Sequence, residues 1–198
     1  MKTIFKTVLV IGLLILFWAC NKEDDSSENL PLGDMEFVNE TLANFTGDPG
    51  DNIVTLYVDT NAIVVDPTKV FIELNIEYPV AGALDYAYKM PFENAEFQYL
   101  VGAVGGNNEY IPENTLRFNP NHENIIESSY PDSVVPSGDY NSATLNAFDF
   151  PVETPLFGSM MGKNIQGEWQ FNFPDYSGQP GSVHKIKLVF EEGALQRD

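Results

Sequence analysis

Residues 70–78, Val70-Phe71-Ile72-Glu73-Leu74-Asn75-Ile76-Glu77-Tyr78, alternate between apolar and polar. Val70, Ile72, Leu74, Ile76 and Tyr78 fall on one face, while Glu73, Asn75 and Glu77 fall on the other, which is the period of a strand with one buried face and one wet face. Glu168-Trp169-Gln170-Phe171-Asn172-Phe173 repeats the pattern with Trp169, Phe171 and Phe173 together. The run from His184 to Phe190 sets Ile186, Leu188 and Phe190 inward and Lys185 and Lys187 outward. Weaker strand signals cover Ile53 to Val58, Tyr86 to Met90 and Phe97 to Val101, and Gly, Pro, Asn and Asp punctuate the gaps. No segment sustains a helical period and no internal repeat is visible. These patterns predict an all-β fold, an antiparallel β-sandwich of jelly-roll or immunoglobulin-like type.

Composition narrows the function. The chain has 198 residues, 10 basic against 29 acidic, and a formal net charge of -19. Affinity for nucleic acid rests on neutralising phosphates with Lys and Arg, so a nucleic-acid partner is excluded as an expectation. A basic membrane-surface patch is excluded on the same ground. One cysteine provides neither an internal disulfide nor a thiolate zinc cluster. With 43% hydrophobic and 13% aromatic residues, the fold can rest on its core.

The N-terminus reads as an address. Lys2 and Lys6 precede an apolar run from Val8 to Ala19, about a dozen residues and too short for a span, which needs about twenty. It stops at Ala19-Cys20, followed by Asn21-Lys22-Glu23-Asp24-Asp25. This resembles a bacterial lipoprotein signal, in which the cysteine receives the lipid and becomes the mature N-terminus. Phe17 and Trp18 stand where that family has a leucine and a small residue. The acidic run after Cys20 resembles the surface-export signal of Bacteroidota-type lipoproteins. The resemblance implies a membrane attachment through acyl chains at Cys20 and exposure outside the outer membrane. The expected divisions are a signal over residues 1–19, an acidic tether over 20–45, a sandwich over 46–192 and a C-terminal tail over 193–198.

Leu156-Phe157-Gly158, Gly162, Gly167-Glu168-Trp169-Gln170-Phe171-Asn172-Phe173-Pro174-Asp175, Gly178, Gly181, Val183, Ile186, Leu188 and Phe190 together resemble the closing motif of the P domain. This module, also called Homo B, is the galactose-binding-like jelly roll that follows the subtilisin-like catalytic domain of proprotein convertases. Upstream, Val70 to Ile76, Asp85, Pro91, Leu100, Gly105-Gly106 and Ser137-Gly138-Asp139-Tyr140 keep the order of that family, so the resemblance covers roughly residues 52–190. Tyr78-Pro79 stands where the family commonly has a histidine, and Tyr86 where it has a leucine. The resemblance implies a protease-associated, non-catalytic module, because the catalytic Asp, His and Ser belong to another domain.

The residues themselves single out few chemical candidates. His122 lies in a loop and His184 on the last long strand, neither with a nucleophile elbow. No HExxH or Cys/His zinc spacing occurs. Calcium is a possible ligand of Gly47-Asp48-Pro49-Gly50-Asp51-Asn52, of Asp175-Tyr176-Ser177-Gly178 and of Asp85, since turns rich in oxygen suit a hard cation. The alternative is that these are Asx turns bonding their own backbone. Tyr86 and Tyr88, with Tyr99, Tyr110, Tyr130, Tyr140 and Tyr176 nearby, could form an aromatic platform for a sugar ring, or could plug the core. Asp132-Ser133-Val134 resembles a Bacteroidota O-glycosylation acceptor at Ser133. The leading expectation is a non-catalytic surface lipoprotein whose P-domain-like sandwich acts as a binding or stabilising module with a protein or glycan partner, the alternative a carbohydrate-binding module of a surface glycan-uptake system, and a hydrolase comes last.

Overall fold

The computed structural model describes residues 31–102, 105–142 and 158–198. Cys20, the signal and the first part of the acidic segment lie outside the described residues, as do Leu156 and Phe157. The compact unit Pro31–Asp198 holds all the described elements. Among the described residues no helix is long and apolar enough to cross a membrane.

Two sheets face each other. One has the order β1 (Met35–Asn39), β11 (Ser182–Phe190), β5 (Val70–Glu77), β8 (Leu116–Asn119) and β9 (Gly138–Asn141), with β2 (Ala43–Asn44) also on β11. The other has the order β3 (Ile53–Val58), β10 (Gly167–Asn172), β6 (Tyr86–Lys89) and β7 (Gln98–Val101). A short ribbon pairs β4 (Ala62–Val64) with β12 (Leu195–Arg197). The fold is therefore an all-β sandwich, as the alternation predicts.

The alternating residues meet in one core. Ile72, Leu74, Ile76, Trp169, Phe171, Phe173, Ile186, Leu188 and Phe190 are all buried. Trp169 packs edge-on to Phe190 at 6.4 Å between ring centroids and donates its indole N–H to the Ile165 carbonyl at 2.9 Å. That bond spares the core an unpaired donor. Gly167 opens β10 at φ 130°, and a Cβ there would lie 2.7 Å from Pro91 Cβ. Glycine is needed on both counts.

Three expectations change. The segment read as a tether to residue 45 contributes β1 and β2, because Met35, Phe37 and Phe45 have apolar surface that β11 and the core can cover. Phe37 meets Phe190 edge-on at 6.1 Å. The segment read as a tail supplies β12, with Ala194 and Leu195 buried. One pair, β8 with β9, is parallel rather than antiparallel. Parallel neighbours need a crossover of about a dozen residues or more, and the chain between Asn119 and Gly138 provides one.

The wet face of the six-stranded sheet is held by charge. Lys187 Nζ lies 2.8 Å from Glu36 Oε1 and 3.4 Å from Glu73 Oε2, while Arg117 ion-pairs with Glu73 at 3.4 Å and donates to Glu191 at 3.2 Å. The Arg117 guanidinium also stacks 3.6 Å from the Phe71 ring centroid. The Lys187 ammonium is held above the ordinary lysine range, first by its bond to Glu36.

Candidate functional site

The outer face of the four-stranded sheet is built from rows of paired residues. Antiparallel partners point to the same side, so Ile53, Asn172, Ala87 and Tyr99 form one row across β3, β10, β6 and β7. Thr55, Gln170 and Lys89 form the next, and Tyr57 with Glu168 the third. Val54, Leu56 and Val58 alternate with them into the core. Tyr57 is 67% exposed, Ile53 53% and Tyr99 46%.

Tyr176, in the loop after β10, joins this face through Asp85. Its hydroxyl donates to Asp85 Oδ2 at 2.6 Å, and Asp85 stands two residues before Ala87, on the same side of the chain. Tyr176 nevertheless remains 60% exposed. Its hydroxyl is pushed above the ordinary phenol range, first by the bond to Asp85, then by burial and the charges of Asp85, Tyr99 and Asp51. Asn172 Nδ2 donates to Asp51 Oδ1 at 2.8 Å, which fixes the carboxamide beside them.

The loops expected to offer calcium ligands do come together. Gly50 and Asp175 exchange backbone bonds of 2.9 and 2.8 Å, and the Asp85 amide donates to the Pro174 carbonyl at 3.0 Å. Asp51 Oδ1, Asp85 Oδ2 and Asp175 Oδ1 accept from protein donors, while Asp175 Oδ2 is buried with no hydrogen-bond partner among the described residues. Asp175 Oδ1 accepts from the Tyr78 hydroxyl and from the amides of Ser177 at 2.8 Å and Gly178 at 3.0 Å. Among the described residues no three His, Cys, Asp or Glu side chains gather to hold a metal.

Of the two readings of the tyrosines, the structure gives core plugs for four of them. Tyr86, Tyr88, Tyr110 and Tyr140 are buried: Tyr88 packs against Trp169, Tyr86 against Phe118, Phe173 and Tyr110, and Tyr140 against Phe118. Of the tyrosines singled out in the sequence, Tyr99 and Tyr176 are exposed and Tyr130 is half-buried. Tyr57 was missed. Its signal is the alternation Ile53, Thr55, Tyr57 against Val54, Leu56, Val58, which puts an aromatic ring on the wet side of an otherwise regular strand.

Comparison with known proteins yields a likeness of shape and little more. No family model matches the chain, and no curated protein matches it. Among solved structures, the serine protease of Aeromonas sobria aligns over 85% of this chain and 27% of its own, at 10% identity and a TM-score of 0.43. The complex of that protease with its chaperone aligns over the same shares at 11% identity and a TM-score of 0.40. The chain thus spans about a quarter of the length of the solved structures it resembles.

Neither histidine is set as a base against a nucleophile. His184 Nε2 lies 3.1 Å from Ser182 Oγ and 3.2 Å from Glu77 Oε2. A relay needs the acid on one ring nitrogen and the hydroxyl on the other, and here one nitrogen faces both. His122 Nδ1 faces the Tyr140 carbonyl at 3.1 Å, and its ring lies against Phe71. Ser133 is exposed in a turn at φ 54°. A cleft of about 390 Å3 beside Tyr130 and Tyr140 is rimmed by Glu123 and Glu127, but both tyrosine hydroxyls bond backbone there.

Proposed function

We infer that this chain is a non-catalytic binding module displayed at a membrane surface, with Cys20 as the lipid-bearing residue and the outer face of the four-stranded sheet as the binding surface. The observation that carries this reading is a concentration of exposed rings. Among the described residues eight large hydrophobic side chains are exposed, and Ile53, Tyr57, Tyr99 and Tyr176 belong to this one face. Val38, Leu42, Ile125 and Met161 are divided among other places. Exposed apolar groups gathered on one surface are the usual mark of an interaction site, whereas scattered ones are ordinary. The pinned hydroxyl of Tyr176 adds preorganisation, which lowers the entropy cost of binding.

The test is site-resolved crosslinking on intact cells. A photoreactive residue at Tyr57 or Tyr99 gives one defined adduct, and the same residue at Lys187, on the wet face of the other sheet, gives none. Equal labelling from both faces, or none from either, removes the reading.

A further inference from the structure

We propose that the outer face of the four-stranded sheet binds a neutral polysaccharide chain, stacking sugar rings on Tyr57 at one corner and on Tyr99 and Tyr176 at the opposite corner. This rests on the reading of that face as the binding surface and adds the ligand class.

Distance comes first. Neighbouring strands lie about 4.8 Å apart, and same-face residues two positions along a strand lie about 6.8 Å apart. Tyr57 is on the first strand of the sheet and Tyr99 on the fourth, two rows away. Their Cα atoms are therefore about 20 Å apart. That separation is the reach of several linked sugars and exceeds a single ring.

Chemistry comes second. A pyranose has an apolar face of C–H groups that stacks on an aromatic ring, and a rim of hydroxyls that needs donors and acceptors. The rings supply the first requirement. Between them, Thr55, Gln170 and Lys89 supply the second. The core of a protein interface is instead a contiguous, well-packed apolar patch with its anchors near the centre. Here the exposed rings stand at two corners of the face, Ile53 lies in the same row as Tyr99, and the polar row of Thr55, Gln170 and Lys89 separates that row from Tyr57.

Charge comes third. The chain carries -19, and Asp51 and Glu168 lie on this face with Lys89 as its cation. Such a surface repels uronate and sulfate chains and leaves uncharged ones unaffected.

The experiment uses the full chain in detergent, run by affinity electrophoresis and calorimetry against hydroxyethylcellulose, xylan and galactomannan, with polygalacturonate as the polyanion. At least one neutral polymer is bound; Tyr57→Ala and Tyr99→Ala each weaken it about tenfold, and Tyr57→Phe stays within about threefold of the parent because the ring is kept. Binding to none of the neutral polymers, undiminished binding by both alanine variants, or equal binding of polygalacturonate overturns the proposal. A single protein adduct from Tyr57 without polysaccharide binding removes the glycan while leaving the face as a binding surface. Loss of both signals removes the two readings together.

Discussion

The hydroxyl of Tyr176 donates to the carboxylate of Asp85 at 2.6 Å while the tyrosine itself stays mostly in solvent. A buried carboxylate thus orients an exposed ring. Tyr176→Phe keeps the ring and removes the bond. Hydrogen bonds to charged groups contribute about 1.5–3 kcal/mol, and this part-buried one is expected at the lower end, about 1.5 kcal/mol. Urea denaturation at pH 7 reads that loss, and ligand binding weakens a few-fold while Tyr176→Ala weakens it further. Equal stability and equal binding in Tyr176→Phe would show that Asp85 orients nothing.

Tyr78 and Asp175 close the opposite side of the same end. Burial, then the bond to Asp175, raises the Tyr78 hydroxyl above its ordinary range. Asp175→Ala strips an acceptor from Tyr78 and from two amides and costs about 3 kcal/mol, whereas Tyr78→Phe costs about 1 kcal/mol. The double variant costs less than the two losses added together, because the bond is lost once. Strict additivity in the cycle contradicts a shared bond.

The legible part of the fold is the part with period two. Val70–Glu77, Gly167–Asn172 and Ser182–Phe190 are strands with the expected faces, and Ile53–Val58 has the expected ends. Periodicity says which residues share a face but not which face is inward, and for that reason Tyr86 and Tyr88 were open to either reading. Burial among Trp169, Phe118 and Phe173 decides it. The strand Met35–Asn39 is hard to read from sequence because Phe37 stands as one apolar position among acidic neighbours that mask a short alternating run. Tyr57 and Glu168 become neighbours only through pairing between residues far apart in sequence.

The N-terminal strands are part of the domain. A chain beginning at residue 46 loses β1, β2 and the buried Phe45 ring, and each fully buried large side chain contributes about 1.5–3 kcal/mol. Compared with a chain beginning at residue 31, it is destabilised by about 4 kcal/mol or does not fold. Denaturation midpoints that coincide restore the tether reading.

Alkaline titration has a defined sign. Burial raises Tyr86, Tyr88 and Tyr110 above the free phenol value of about 10. Below that pH all three are protonated in both folded and unfolded chains, so their contribution is constant; above it the unfolded chain ionises first and stability falls. Phenolate absorbance therefore rises in two stages, the second coinciding with loss of the near-ultraviolet circular dichroism of the core. Smooth ionisation of all nine tyrosines without unfolding refutes the burial.

Cys20 is the sole thiol of the chain. Labelling cells with a fatty-acid analogue tags the parent protein and leaves Cys20→Ala unlabelled and in the aqueous phase of a detergent partition. Label that persists in the variant overturns the assignment of the anchor.

The pairing of β1 with β11 also sets how the molecule carries load. Tension on the chain ahead of Pro31 meets first the bonds of Leu32 with Leu195 and Gly193, and then the five consecutive register pairs from Met35 with Phe190 to Asn39 with Ile186. Pulled lengthwise, those bonds are strained together rather than opened one at a time. The segment from Leu32 to Asn39 thereby serves as a shear clasp, and a lengthwise pull on the N-terminal side loads it before the core.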